Sequence, residues 1–190
     1  MSALRCSFIV SAFDRPAHLD LLLRSLRLQT CRDFEVLVTD NAVGARASEN
    51  LDAVQRIGDS RFRHIAAREP DCYFSANLGA AAAQGEYLCF PSDDGYYVPR
   101  FLEAMLGAGP ADLIYCDCVY DGHGINYAPM QTRPACGFID KGGFLVKREQ
   151  FRGFRGPAGA DRAADGWLVE ALIKSGATHS KVPGHLWVHQ

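Results

Sequence analysis

Short, predominantly apolar runs recur between helix-length stretches through the first 116 residues, and this alternation leaves the chain very few folds. Ser7-Phe8-Ile9-Val10, Phe34-Glu35-Val36-Leu37-Val38, Phe62-Arg63-His64-Ile65, Tyr87-Leu88-Cys89-Phe90 and Leu113-Ile114-Tyr115-Cys116 each have the length of a buried strand. Between them, residues 17–29 place Leu19, Leu22, Leu23 and Leu26 at helical spacing. Residues 49–57 and the Ala-rich 75–83 also read as helices, as do residues 99–106, whose first-turn proline is tolerated. Strands that stay apolar without alternating are covered on both faces. The expected architecture is therefore α/β, with a mostly parallel central sheet flanked by helices.

Past residue 116 the pattern loosens. Residues 120–136 are rich in Gly, Tyr, Pro and Asn with no period, which suits a long functional loop or a loose hairpin. Gly143-Phe144-Leu145-Val146 returns to strand character, residues 153–159 form a Gly/Pro loop, and residues 160–175 read as a helix. A short strand pair is expected through Val182 and Leu186-Trp187-Val188. A length of 190 residues favours one domain, 1–190.

Several classes are disfavoured. A net charge of −2, with its arginines scattered, offers no footprint for nucleic acid. No apolar stretch approaches the ~20 residues of a membrane-spanning helix, and the start Met1-Ser2-Ala3-Leu4-Arg5 has no signal-peptide core. A cytoplasmic protein is expected, with peripheral membrane contact left open. The seven cysteines are odd in number and lack zinc-ligand spacing, so they are expected to be reduced, mostly buried thiols.

The chemistry-bearing signal is Phe90-Pro91-Ser92-Asp93-Asp94, an apolar strand that breaks into two adjacent carboxylates. The carboxyl ends of strands are where open α/β sheets hold ligands. Adjacent carboxylates repel, the more so when buried, and a hard divalent cation such as Mg²⁺ or Mn²⁺ relieves that repulsion. A cation there could hold a diphosphate, which points to a nucleotide-linked substrate.

Taken in order, the motifs resemble those of family 2 glycosyltransferases with the GT-A fold. Val10-Ser11-Ala12-Phe13-Asp14-Arg15-Pro16 is similar to that family's "V-S-x-Y-N-R" opening, and Phe34-Glu35-Val36-Leu37-Val38-Thr39-Asp40-Asn41 to its "F-E-I-I-V-V-D-D" strand. Asn77-Leu78-Gly79 and Ala83-Gln84-Gly85-Glu86-Tyr87 resemble "R-N-x-G…A-x-G-E-Y", and Ser92-Asp93-Asp94 the "D-x-D" region. The likeness covers nearly the whole chain, and five motifs in the right order are far more specific than any one.

The resemblance implies a hexosyltransferase with 1–95 as the nucleotide and donor half and 96–190 as the acceptor side. It implies a metal-assisted inverting reaction using a nucleotide-sugar donor, UDP-linked, with a glycan or lipid-linked acceptor as in polysaccharide biosynthesis. Ser11, Asp14 and Arg15 would border the nucleotide, with Arg15 meeting a phosphate or merely solvated. Asp40 would accept from the nucleobase, or act as a turn residue after its strand. Asn77 would belong to the donor site. Asp93 is the main metal candidate, and Asp94 a sugar contact or second ligand.

Two positions depart from the pattern. Pro91 stands where the first carboxylate is expected, and Ala76 where an arginine often helps neutralise the diphosphate; Arg68 and Arg15 are the nearest substitutes in sequence. The family's general base falls at the head of a late helix, which selects Asp165, with Asp161 as the alternative or as a helix N-cap. His189, in a late "Y-x-H"-like element, could be a metal ligand that partly replaces the missing carboxylate, with His185 as competitor. His18, His64 and His179 read as surface or sheet-edge residues. Tyr96, Tyr97, Tyr120 and Tyr127 could stack on sugars, whereas Tyr115 suits the core. Residues 120–136 are expected to set acceptor selectivity. The chain is short for the family, so a partner subunit or homodimer could complete the acceptor site.

Two rivals are weaker. A nucleotidyltransferase needs a Gly-rich loop after the first strand, and Phe13-Asp14-Arg15-Pro16 is not one. A non-catalytic nucleotide- or glycan-binding scaffold of the same fold is kept open by Pro91 and Ala76.

Overall fold

The computed structural model describes residues 4–67, 71–121, 127–155 and 164–190. Strands β1 (Cys6–Ala12), β2 (Phe34–Asp40), β3 (Phe62–Ala66) and β4 (Tyr87–Cys89) alternate with helices α1 (Pro16–Arg27), α2 (Ala45–Ile57) and α3 (Cys72–Ala82). Then follow β5 (Gly95–Tyr97), α4 (Phe101–Gly107), β6 (Leu113–Asp121), β7 (Tyr127–Met130), β8 (Phe144–Lys147), α5 (Ala164–Lys174) and β9 (His179–His189). A single 3-10 turn, Lys141–Gly143, leads into β8.

Among the described residues the strands form one sheet in the order β3-β2-β1-β4-β8-β6-β9-β5, with β7 beside β6. The parallel arrangement expected from the sequence holds from β3 through β2 and β1 to β4. Beyond β4 the sheet is mixed, because β8 runs antiparallel to both β4 and β6.

All seven residues of β1 and all seven of β2 are buried. Successive side chains of a strand point to opposite faces. Phe8 and Val10 accordingly join one core cluster with Leu19, Leu22, Leu23 and Leu26 of α1, while Ile9 joins a second with Ala76 of α3 and Leu168 of α5. Each fully buried leucine of α1 is worth about 1.5–3 kcal/mol relative to exposure, so this face alone commits α1 to the sheet. Cys6, Cys89, Cys116 and Cys118 are buried free thiols, as expected.

The C-terminal half differs from the sequence reading in two ways. The strand pair expected through Val182 and Leu186-Trp187-Val188 is one strand, β9, parallel to β6; its register shifts around Asp117, so that Cys116 pairs with Val182 but Asp117 with His185. The bulge absorbs Pro183-Gly184, which in the sequence looks like a break. Residues 95–97, to which the sequence reading assigned no strand, pair with β9 as β5. Residues 127–130 of the unassigned stretch pair with β6, which favours the loose hairpin over the plain loop. Among the described residues no helix is long and apolar enough to cross a membrane.

Candidate functional site

The carboxyl ends of β1 and β4 open onto a cavity of ≈ 350 Å³. The chain after β4 stays beside β1: Ser11 N–H donates to the Pro91 carbonyl at 3.2 Å, and Ser11 bridges Ser92. Pro91 thus carries backbone pairing one step beyond the strand and sets Asp93 and Asp94 beside the loop after β1. Of the candidate residues, Ser11, Asp14, Arg15, Asp93 and Asp94 line this cavity, together with Asn41 and Cys72, which the sequence did not single out. Asp71 caps α3 by accepting from Tyr73 N–H and Phe74 N–H at 2.7 and 2.8 Å, which fixes the helix start that presents Cys72.

The two adjacent carboxylates have different work. Asp93 is 7% exposed, and its Oδ2 accepts from Phe13 N–H at 3.0 Å, tying the β1 loop to the β4 loop. Burial pushes its carboxyl up to about 6; the Phe13 N–H opposes the rise and the charge of Asp94 adds to it. Asp94 has other neighbours. Its Oδ2 accepts from Arg15 Nη1 at 2.6 Å and lies 3.9 Å from His189 Nε2. Its Oδ1 is buried with no hydrogen-bond partner among the described residues. Arg15 is therefore paired rather than merely solvated.

A second cavity, ≈ 380 Å³, is lined by Tyr120, Met130, Asp140, Asp165 and His189 among others. Asp140 is its organising residue. Its Oδ1 accepts from Gly142 N–H at 2.7 Å and Trp187 Nε1–H at 3.0 Å, and its Oδ2 pairs with His189 Nδ1 at 2.7 Å. Trp187 reaches this position only because two glycines flank it: a Cβ at Gly95 would lie 2.2 Å from the indole, and one at Gly142 2.6 Å. Burial is the largest influence and favours the neutral forms of Asp140 and His189, but their mutual hydrogen bond, their opposite charges and the neighbouring Gly142 N–H and Asp94 together outweigh it, lowering the Asp140 carboxyl and raising the His189 imidazole. The imidazole is thereby held with Nε2 toward Asp94. Tyr120, 44% exposed, lies edge-on to His189 with ring centroids 5.3 Å apart.

Asp165 sits in the first turn of α5, and its Oδ1 accepts from Gly166 N–H at 2.8 Å. Burial raises its carboxyl above the ordinary range, with Asp140's charge adding. A carboxylate tuned upward is a better proton acceptor near neutral pH.

Other expected residues are placed elsewhere. Asp40, next in the chain to the cavity-lining Asn41, is 2% exposed: its Oδ1 accepts from Ala42 N–H and Asn50 Nδ2, both at 2.9 Å, and its Oδ2 pairs with His64 Nε2 at 3.0 Å. His64 is on the edge strand, as read, but it has this specific partner. Asn77 clamps the loop after β8, donating to the Phe154 carbonyl at 3.2 Å and accepting from Phe154 N–H at 2.8 Å, away from the cavity lining. Tyr97 is in the core at 3% exposure and donates to the Gly142 carbonyl at 2.8 Å. Tyr115 is in the core, as expected, and His185 is exposed. Asp161 and Arg68 lie outside the described residues.

Among the described residues no group of three or more His, Cys, Asp or Glu side chains could hold a metal. The residues that could hold an ion together are Asp94, whose buried Oδ1 has no hydrogen-bond partner among the described residues, and His189, whose Nε2 is 3.9 Å from Asp94 Oδ2. Mg²⁺-type ions are commonly bound by one or two carboxylates plus substrate phosphates, so two protein ligands suffice for a site that a diphosphate completes. Asp93, with Oδ2 engaged and little exposure, is the poorer ligand of the pair.

The sequence model of glycosyl transferase family 2 matches residues 7–164. The chain belongs to glycosyl transferase family 2. This family 2 chain is 32% identical over 130 residues to a PGL/p-HBAD biosynthesis glycosyltransferase of Mycobacterium bovis (strain BCG / Pasteur 1173P2), covering 63% of the chain and 48% of the relative. It spans from 33% to 48% of the length of the curated relatives it matches. Its fold is similar to that of S. aureus TarS 1-349 in complex with UDP, with a TM-score of 0.75 at 16% identity, covering 97% of this chain and 60% of that one. It is also similar to the mannosyltransferase PcManGT from Pyrobaculum calidifontis in complex with GDP-Man and Mn2+, with a TM-score of 0.77 at 17% identity, covering 100% and 57%. The fold is thus GT-A.

Proposed function

We propose that this family 2 chain is an inverting glycosyltransferase that moves a hexosyl group from a nucleotide diphosphate donor to a hydroxyl of a glycan or lipid-linked acceptor. The observation that carries this reading is the meeting of the two cavities at Asp94 and His189, 3.9 Å apart. Among the described residues, those lining the first cavity fall within 1–95 and those lining the second within 96–190. The division into a donor half and an acceptor half rests on that separation. UDP-linked donors remain the first choice from the sequence resemblance; the structural neighbours hold UDP in one case and GDP-Man in the other.

In this reading Arg15 and the loop after β1 hold the nucleotide, and Asp94 and His189 would hold a divalent cation, Mn²⁺ or Mg²⁺. That ion, when bound, supplies Lewis-acid neutralisation of charge on the diphosphate. Asp165 takes the proton from the acceptor hydroxyl as its oxygen bonds to the anomeric carbon. The bond from that carbon to the diphosphate oxygen breaks in the same step, and the diphosphate leaves with the electron pair. Attack from the face opposite the leaving group inverts the anomeric centre. Asp93 braces the cavity, and Asp140 orients His189.

The test is release of UDP or GDP from a panel of nucleotide sugars in Mn²⁺ or Mg²⁺, comparing the natural chain with Asp165→Asn. Loss of a general base is expected to slow release by about 10²–10⁴-fold. Release unchanged in Asp165→Asn would contradict the role of Asp165. No release from any donor, with nucleotide still bound, would favour the non-catalytic scaffold reading.

A further inference from the structure

Lys141 is a charged side chain that the reaction above does not use. It opens the turn before β8, and its carbonyl accepts from Phe90 N–H at 3.3 Å, so it stands beside the strand end that delivers Asp93. The residue is only 7% exposed, and its Nζ is buried with no hydrogen-bond partner among the described residues. Nζ lies 5.4 Å from the ring centroid of Tyr73, in the first turn of α3. A buried ammonium without a partner is expensive, and a fold that needed only packing would place an apolar side chain there.

Its surroundings say what it awaits. The charge of Lys141 favours the ionised forms of Asp93, on the donor side, and of Asp140 and Asp165, on the acceptor side. The chain neighbours place the residue: Asp140, just before Lys141, lines the second cavity, and Tyr73, whose ring is 5.4 Å from Nζ, follows Cys72, which lines the first. α3 brings no cation of its own to this place, since Cys72–Ala82 contains no lysine or arginine and Ala76 is wholly buried. Arg15, the nearest cation on the donor side, is already bonded to Asp94 at 2.6 Å.

We propose that Lys141 is the protein cation that binds the diphosphate of the donor, contacting the phosphate next to the sugar. This rests on the donor reading above and goes beyond it by naming the residue that answers the leaving group. The ammonium supplies N–H donors to phosphate oxygens in a site shielded from water, where charge-assisted bonds are strongest. Because it stands at the junction, its interaction strengthens as charge develops on the departing oxygen.

The test is the Lys141→Met substitution, which keeps the length of the side chain and removes the charge. UDP and GDP are titrated by calorimetry against the natural chain and the variant, with uridine and guanosine as phosphate-free probes. The variant is expected to melt no lower than the natural chain, to lose roughly 10- to 100-fold in affinity for whichever diphosphate binds, and to bind the nucleoside unchanged. Diphosphate affinity within about two- to three-fold of the natural chain would overturn the proposal, as would an equal loss for diphosphate and nucleoside, which marks a general disturbance of the site. Absence of diphosphate binding by the natural chain would sink the donor reading itself and Lys141's role with it, an outcome visible without the variant. If the methionine variant does not fold, Lys141→Gln is measured with the same expectations.

Discussion

Replacing Asp93 by asparagine tests whether the cavity at the ends of β1 and β4 is held in an electrostatically unfavourable state. Asp93 is buried, and burial lifts its carboxyl from 3.8 to about 6. The folded protein therefore holds the Asp93 proton more tightly than the unfolded chain does. Above about pH 6 the group must ionise in the fold at a penalty, and that penalty fades as pH falls from about 6 toward 3.8. The rise from 3.8 to about 6 corresponds to about 3 kcal/mol at pH 7.5. Near pH 5, where much of the folded population is already protonated, about 1.6 kcal/mol is left. An asparagine carbonyl still accepts from Phe13 N–H but carries no charge. Asp93→Asn should therefore be more stable than the natural chain by up to about 3 kcal/mol near pH 7.5, an advantage that shrinks by about 1.4 kcal/mol near pH 5. Urea denaturation at both pH values, followed by tryptophan fluorescence with EDTA present, measures this directly. Comparing variant with parent cancels the other titrating groups. A variant less stable than its parent by the same amount at both pH values would refute the reasoning, because it would mean that ionised Asp93 stabilises the fold.

Asp140→Asn should lower the pKa of His189, since the carboxylate that raises it is gone; an NMR titration of the imidazole that shows no downward movement would deny the pairing. Asn77→Ala removes both bonds to the Phe154 backbone and should lower stability by about 1–3 kcal/mol in chemical denaturation, while nucleotide affinity stays at the parent value. A loss of affinity without a loss of stability would return Asn77 to the donor site.

The parallel half of the sheet was legible because its strands are buried on both faces, and so appear as apolar runs whatever they pack against. Asp93 and Asp94 were legible for a related reason: a carboxylate pair directly after such a run has little choice but the strand's carboxyl end. Motif likeness was less informative about orientation. Asp40 and Asn77 occupy motif positions, yet both side chains turn inward to satisfy buried backbone and amide groups. Asp140 escaped notice because its role depends on Trp187 and His189, 47 and 49 residues away in the chain, and no local pattern encodes such a pairing. β5 is three residues long and carries its side chains against β9, too little for a period to register. Pro183-Gly184 read as a strand break because a bulge and a break have the same composition.

Calorimetric titration of UDP and GDP, with and without Mn²⁺, on the natural chain and on Asp94→Asn, bears most directly on a donor site built where β1 and β4 end. One of the two nucleotides should bind, Mn²⁺ should tighten that binding, and Asp94→Asn should remove the part that depends on metal. Failure of both nucleotides to bind, with or without metal, would contradict the assignment of this cavity to a nucleotide diphosphate donor.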